Sequence, residues 1–139
     1  MILSISDIDI NKKSSQKTAL IYLIVAVFCL VFGIVYEVFS HGVISKHMVL
    51  AFLIPLLGGA LPFFLVGKLA VKLHPFGIAK KLYNSGIAIF TVWCVMKGVL
   101  VIYGTTNHLL VYYVVAGVGF LAAGIALWVM QAVKRLKCN

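Results

Sequence analysis

Long apolar runs separated by short polar or basic segments dominate the chain. Four of them are long enough to cross a hydrocarbon core about 30 Å thick, which takes roughly 20 residues in an α-helix. We predict these helices over residues 18–40, 48–67, 85–103 and 108–131. The predicted fold class is all-α, an integral membrane protein whose four transmembrane helices form a bundle.

Composition gives the same class. Hydrophobic residues make up 63% of the 139 residues, charged residues only 11%, and the mean hydropathy is +1.13. A water-soluble domain of this length needs more charged side chains to cover its surface. With three cysteines, two of them inside predicted helices, the chain is also not a disulfide scaffold.

The basic residues predict a single orientation, because cytoplasmic flanks of membrane helices hold an excess of Lys and Arg. Ten of the twelve precede the first helix, lie between the second and third, or follow the fourth: Lys12, Lys13, Lys17, Lys68, Lys72, Lys80, Lys81, Lys134, Arg135 and Lys137. We therefore predict a plasma-membrane protein with both termini in the cytoplasm.

Two short tails complete the predicted organisation, a polar N-terminal tail over residues 1–17 and a basic C-terminal tail over 132–139. Fraying or disorder is the expected state of the first one. The net charge of +9 follows from topology and indicates no nucleic-acid partner. We expect the basic segments to attract anionic lipids of the inner leaflet.

The second predicted helix contains two prolines with a glycine pair between them: Pro55, Gly58, Gly59 and Pro62. Each proline removes one backbone hydrogen bond, so the sequence predicts a kink or a locally unwound segment. Such a break either exposes backbone groups to a transported substrate or is a packing kink whose polar groups neighbouring helices satisfy.

The fourth predicted helix has small residues on one face: Ala116, Gly119, Ala123 and Ala126. Faces of small residues let membrane helices approach closely. The sequence leaves open whether this face packs inside the bundle or against another subunit. We expect a homo-oligomer or a complex with another membrane protein.

Two charged residues lie within predicted helices, Glu37 near the outer end of the first and Lys97 in the third. Their depths differ by roughly 5 Å at 1.5 Å of rise per residue, which a lysine stem can span. Charges inside a membrane tend to face a partner or a cavity, so an ion pair or a transport site is predicted. The alternative places both groups at the water boundary.

Three histidines lie on the predicted outer side with Glu37, namely His41, His47 and His108. Imidazole and carboxylate groups suit zinc, copper or nickel, although the chain lacks the close spacings typical of metal sites. They are weak candidates, and no cofactor is predicted.

Most aromatic residues fall near predicted helix ends, which is typical of an interfacial belt. They include Tyr22, Phe63, Tyr83 and Trp128.

Three functional hypotheses follow. The first is a non-enzymatic accessory or structural subunit, because no hydrolase, kinase or transferase motif is present. The second is an oligomeric transporter or channel that uses Glu37 and Lys97, and the third is a metal or redox protein that uses the histidines. The helix count and the single first-helix carboxylate resemble the small multidrug resistance exporters. The position of Glu37 and the strong charge bias differ from that family, so no residue role is transferred from it.

Overall fold

The computed structural model describes residues 5–39, 45–69, 75 and 77–137. The helices in chain order are α1 (Ile5–Phe39), α2 (Lys46–Leu53), a π-helical segment (Ile54–Ala60), α3 (Leu61–Leu69), α4 (Gly77–Ile102) and α5 (Leu110–Lys137). We call α2, the π segment and α3 together the second span. Within these described ranges, four helices are long and apolar enough to cross a membrane, which confirms the all-α, four-span prediction.

Three helices extend beyond the predicted apolar runs. Helix α1 begins at Ile5 and so includes most of the segment expected to fray. Its polar residues Asn11, Ser15 and Thr18 are buried, so this polar turn packs into the bundle. Helix α4 begins at Gly77 and α5 continues to Lys137. Hydropathy predicts only the apolar part of a helix, the part that lies in lipid. The helix continues beyond that part where its polar side chains pack against or hydrogen-bond to neighbouring helices.

The second span lies between α1 and α4, and α4 packs along α5. Long side chains also join α1 to α4. The Tyr22 hydroxyl donates a hydrogen bond of 2.9 Å to Asn84 Oδ1, and Lys80 Nζ donates one of 3.2 Å to Ser14 Oγ. Within the described residues, α5 has backbone-close packing with α4 alone. It therefore forms one edge of the bundle.

One aromatic residue from each span meets in a cluster made of Tyr22, Phe63, Tyr83 and Trp128. Phe63 is fully buried, and its ring centroid lies 6.0, 5.9 and 6.2 Å from those of Tyr22, Tyr83 and Trp128. Tyr83 and Trp128 meet edge to face at 5.6 Å. These four residues therefore form an internal contact of all four spans.

Glycines allow α5 to approach α4 closely. A Cβ atom at Gly124 would lie 2.6 Å from the backbone nitrogen of Tyr83, so only glycine fits there. A Cβ at Gly117 would meet the Phe90 ring at 2.9 Å. By contrast, a Cβ at Gly119 would meet nothing within 4 Å. The internal face of α5 thus contains Gly117 and Gly124 rather than Gly119.

Two matched substitutions on α5 test this packing. We predict that Gly124→Ala lowers the free energy of unfolding by about 1–3 kcal/mol, because the added methyl overlaps α4. Gly119→Ala should leave it unchanged or raise it by up to about 1 kcal/mol through helix propensity. Reversible unfolding in mixed micelles, at a dilution where the chain is monomeric, measures both. Equal effects of the two substitutions would contradict the assigned packing face.

Candidate functional site

The residues singled out by the sequence lie in three places. The π segment is in the middle of the second span. The two charged residues lie toward the end of the bundle that holds Ser45 and the connection 103–109, which we call the loop end. The small residues lie on α5.

The π segment coincides with the proline and glycine motif. In an α-helix the amide at position 62 would donate to the carbonyl of residue 58, but Pro62 has no amide hydrogen. The chain widens its turn here, and the Leu61 amide donates to the Leu56 carbonyl, five residues back. The predicted departure from regular helix is confirmed and takes the form of a π segment.

The Gly58 carbonyl, to which Pro62 cannot donate as an α-helical amide would, accepts a hydrogen bond from another helix. The Tyr83 hydroxyl of α4 donates to it at 2.5 Å. An unsatisfied carbonyl in a dry interior is costly, so this hydrogen bond compensates for the missing amide. For this carbonyl the geometry favours the packing kink over a group exposed to a substrate.

The glycine pair brings the π segment close to both neighbouring helices. A Cβ at Gly59 would overlap the ring of Tyr22 on α1, and a Cβ at Gly58 would lie 2.7 Å from Ile87 Cδ1 on α4. Pro55 and Gly59 are themselves buried. The four motif residues thus act together, since the prolines interrupt the helix and the glycines admit the side chains that pack against the interruption.

Lys97 is half-buried on α4, and its ammonium lies over the indole ring of Trp93, 5.4 Å from the centroid. Trp93 is one turn earlier on the same helix and is in edge contact with His47 and Phe90. An ammonium over an indole is attracted by the negative face of the ring. The lysine therefore finds an internal cation–π partner.

Glu37 and Lys97 line separate cavities. Glu37 borders one of about 180 Å³ between α1 and α2, together with Gly33, Met48 and other residues. Lys97 borders one of about 360 Å³ between α4 and α5. The described part of the chain shows no ion pair between the two residues. The pair of Glu37 with Lys97, and a transport site built on it, stay predictions.

The larger cavity has a polar mouth and apolar walls. Thr105, Thr106, Asn107 and His108 line the mouth, while the walls include Val101, Val111 and Val114. Asn107 Oδ1 accepts a hydrogen bond of 2.9 Å from the Leu109 amide, which shapes the turn into α5. Of the sequence-predicted residues, Lys97 and His108 share this cavity.

The histidine site is not formed by the residues that the structure places. His47 lies edge-on to Trp93, and its Nδ1 is buried without a hydrogen-bond partner. His108 is exposed at the mouth of the other cavity. His41 lies outside the described residues. Among those described, no group of three or more His, Cys, Asp or Glu side chains is arranged to hold a metal ion.

The predicted small-residue face of α5 is exposed along its whole length: Ala116, Gly119, Ala123 and Ala126. The helix turns Gly117, Leu121, Gly124 and Trp128 toward the bundle instead. Of the two uses left open by the sequence, internal packing is thereby excluded for the monomer.

The sequence analysis did not identify the roles of Tyr83 and Trp93. Tyr83 donates a hydrogen bond to the Gly58 carbonyl beside the proline break, and the Trp93 ring lies under the Lys97 ammonium. A usable signal for Trp93 was its place four residues before Lys97, which puts both on one helix face. No local signal linked Tyr83 to Gly58, because the two residues lie far apart in the chain and on different spans.

No family model matches the chain, and neither a curated protein nor a solved structure matches it.

A double-mutant cycle tests the compensation at the π segment. We predict that Tyr83→Phe lowers the free energy of unfolding by about 1–3 kcal/mol, because it removes the side-chain donor to the part-buried Gly58 carbonyl. In a Pro62→Ala background the loss should be smaller, since residue 62 then carries an amide hydrogen. Unfolding in mixed micelles measures all four variants.

The control for this cycle is Tyr112→Phe, which removes the same hydroxyl from an exposed residue of α5 and should change stability by less than about 0.5 kcal/mol. An equal loss from Tyr83→Phe in both proline backgrounds would show that the hydroxyl does not compensate for Pro62.

Proposed function

We propose that this protein is a non-enzymatic membrane subunit that acts by helix association, and that α5 is the helix through which it associates with a second copy. The observation that carries the proposal is the exposed face of Ala116, Gly119, Ala123 and Ala126. Helices in lipid associate by close packing of such faces, because lipid chains offer no hydrophobic drive.

The burial of α5 supports the proposal independently of its sequence. Only 11% of the residues in its most apolar window are buried, against 28 or 29% in the other three spans. The helix thus combines the least internal packing with a smooth face of small residues. A span that packs along one neighbour has a large surface left for a partner.

A second copy is the occupant that fits this face. The face holds no charged side chain and no large one, so it matches an identical face related by a two-fold axis. In such a pair Gly119 and Ala123 of one chain pack against the same residues of the other, and the backbones approach as in other small-residue contacts.

We further propose that both termini lie in the cytoplasm of a plasma-membrane protein. The support is the position of ten of the twelve basic residues, which also favours contact with anionic lipids of that leaflet.

A membrane-impermeant maleimide should label Cys138 in inverted vesicles but not in right-side-out vesicles. The control is Lys46→Cys in a Cys138→Ser background, which should give the opposite pattern. Labelling of Cys138 from outside would reverse the orientation.

Matched leucine substitutions on α5 test the association. We predict that Ala123→Leu weakens self-association by about tenfold, because the larger side chain separates the two faces. Energy transfer between donor- and acceptor-labelled copies in liposomes, followed as added lipid dilutes the protein, gives the dissociation constant.

The control is Val118→Leu, which enlarges an exposed side chain about 140° around the helix from Ala123 and should leave the constant unaltered. Energy transfer that is absent from the unaltered protein at every dilution would contradict self-association. Equal effects of the two substitutions would place the interface elsewhere.

A further inference from the structure

We propose that the cavity of about 360 Å³ between α4 and α5 binds a phospholipid with an anionic headgroup, whose phosphate is held by Lys97 and whose acyl chain lies along the valines of the two helices. This inference concerns a different surface of α5 from the association face and does not depend on association.

The Lys97 ammonium lies well inside the end of the bundle. Lys97 is five residues before Ile102, the last residue of α4, which places its Cα about 7.5 Å below that end of the helix. Its Nζ lies over Trp93, one turn deeper still, instead of reaching directly for the interface. The indole offers the negative face of a ring and carries no full negative charge. A charge at this depth favours an anionic companion.

The cavity mouth carries polar groups that suit an anionic headgroup. Thr105 and Thr106 offer hydroxyl groups, and His108 offers a ring nitrogen, all beside Lys97 in one cavity. Hydroxyl, imidazole and ammonium groups are donors to phosphate oxygens. Helix α5 begins at this mouth, and the N-terminal end of a helix carries a partial positive charge.

The apolar walls of the cavity favour a lipid over a free phosphate ion. Below the mouth the walls are apolar, since the deeper lining residues are Trp93 of α4 and Val114 of α5, both partly exposed on the surface of the bundle. Because that surface faces lipid in a membrane helix, the cavity opens sideways toward acyl chains. An ion from water would fill only the mouth, whereas an amphipathic lipid fills both parts.

The composition of the chain makes the test direct. It contains only two tryptophans, so Trp128→Phe leaves Trp93, in the cavity wall, as the single tryptophan reporter. The chain is placed in nanodiscs of neutral lipid that contain a small fraction of brominated lipid. A brominated lipid that binds in the cavity quenches the fluorescence of Trp93. We expect brominated phosphatidylglycerol to occupy the site about fivefold more readily than brominated phosphatidylcholine. Adding inorganic phosphate should not change the quenching.

Two lysine variants complete the experiment. Lys97→Met should abolish the preference, while Lys46→Met removes a lysine from the same end of the bundle and should retain it. Equal quenching by the two lipids, or a preference that survives Lys97→Met, would overturn the proposal. Loss of the preference when inorganic phosphate is added would identify a free-anion site instead of a lipid site. Native mass spectrometry of the chain with Trp128 intact should show the same preference and the same response to both variants.

Discussion

The hydrogen bond from the Tyr83 hydroxyl to the Gly58 carbonyl is the interaction on which the rest of the bundle depends. A membrane interior contains no water to satisfy a carbonyl that has lost its donor, so an interrupted helix needs partners from neighbouring helices. Tyr83 supplies one from α4. Tyr22 occupies the space over Gly59 from α1. The interrupted segment of the second span therefore has packing partners on both sides, and the span lies between α1 and α4.

The aromatic cluster follows from the same arrangement. With Tyr22 and Tyr83 directed toward the π segment, Phe63 lies between them one turn later in α3 and makes ring contacts with both. Trp128 then stacks on Phe63 and joins α5 to the other spans. Elsewhere among the described residues, the backbone of α5 packs closely on α4 alone, through Gly117 and Gly124. Concentrating the internal packing around the second span leaves the small-residue face of α5 uncovered, which is the basis of the proposed association.

Hydropathy was enough to predict the number of spans, because lipid imposes one length and one composition on a crossing helix. It could not locate the start of α1 at Ile5, since the buried Asn11 and Ser15 stabilise that turn through packing rather than through apolar character. The proline motif correctly predicted a break but not its partner, because the acceptor and donor are on different spans. The pairing of Glu37 with Lys97 rested on depth alone. Depth does not specify which direction a side chain faces around its helix, and the two residues line different cavities.

Amide hydrogen exchange of the chain in lipid nanodiscs is the measurement that tests the central claim most directly, namely that the break in the second span is closed by packing. The account predicts that amides in the π segment and in the first turn of α3 exchange no faster than those in the middle of α4. Their hydrogen bonds are as well shielded from water, and slow opening is expected of a packed core. Rapid exchange confined to residues 56–63, with slow exchange on both sides, would contradict it. That pattern would indicate an unwound segment that lines a path for water.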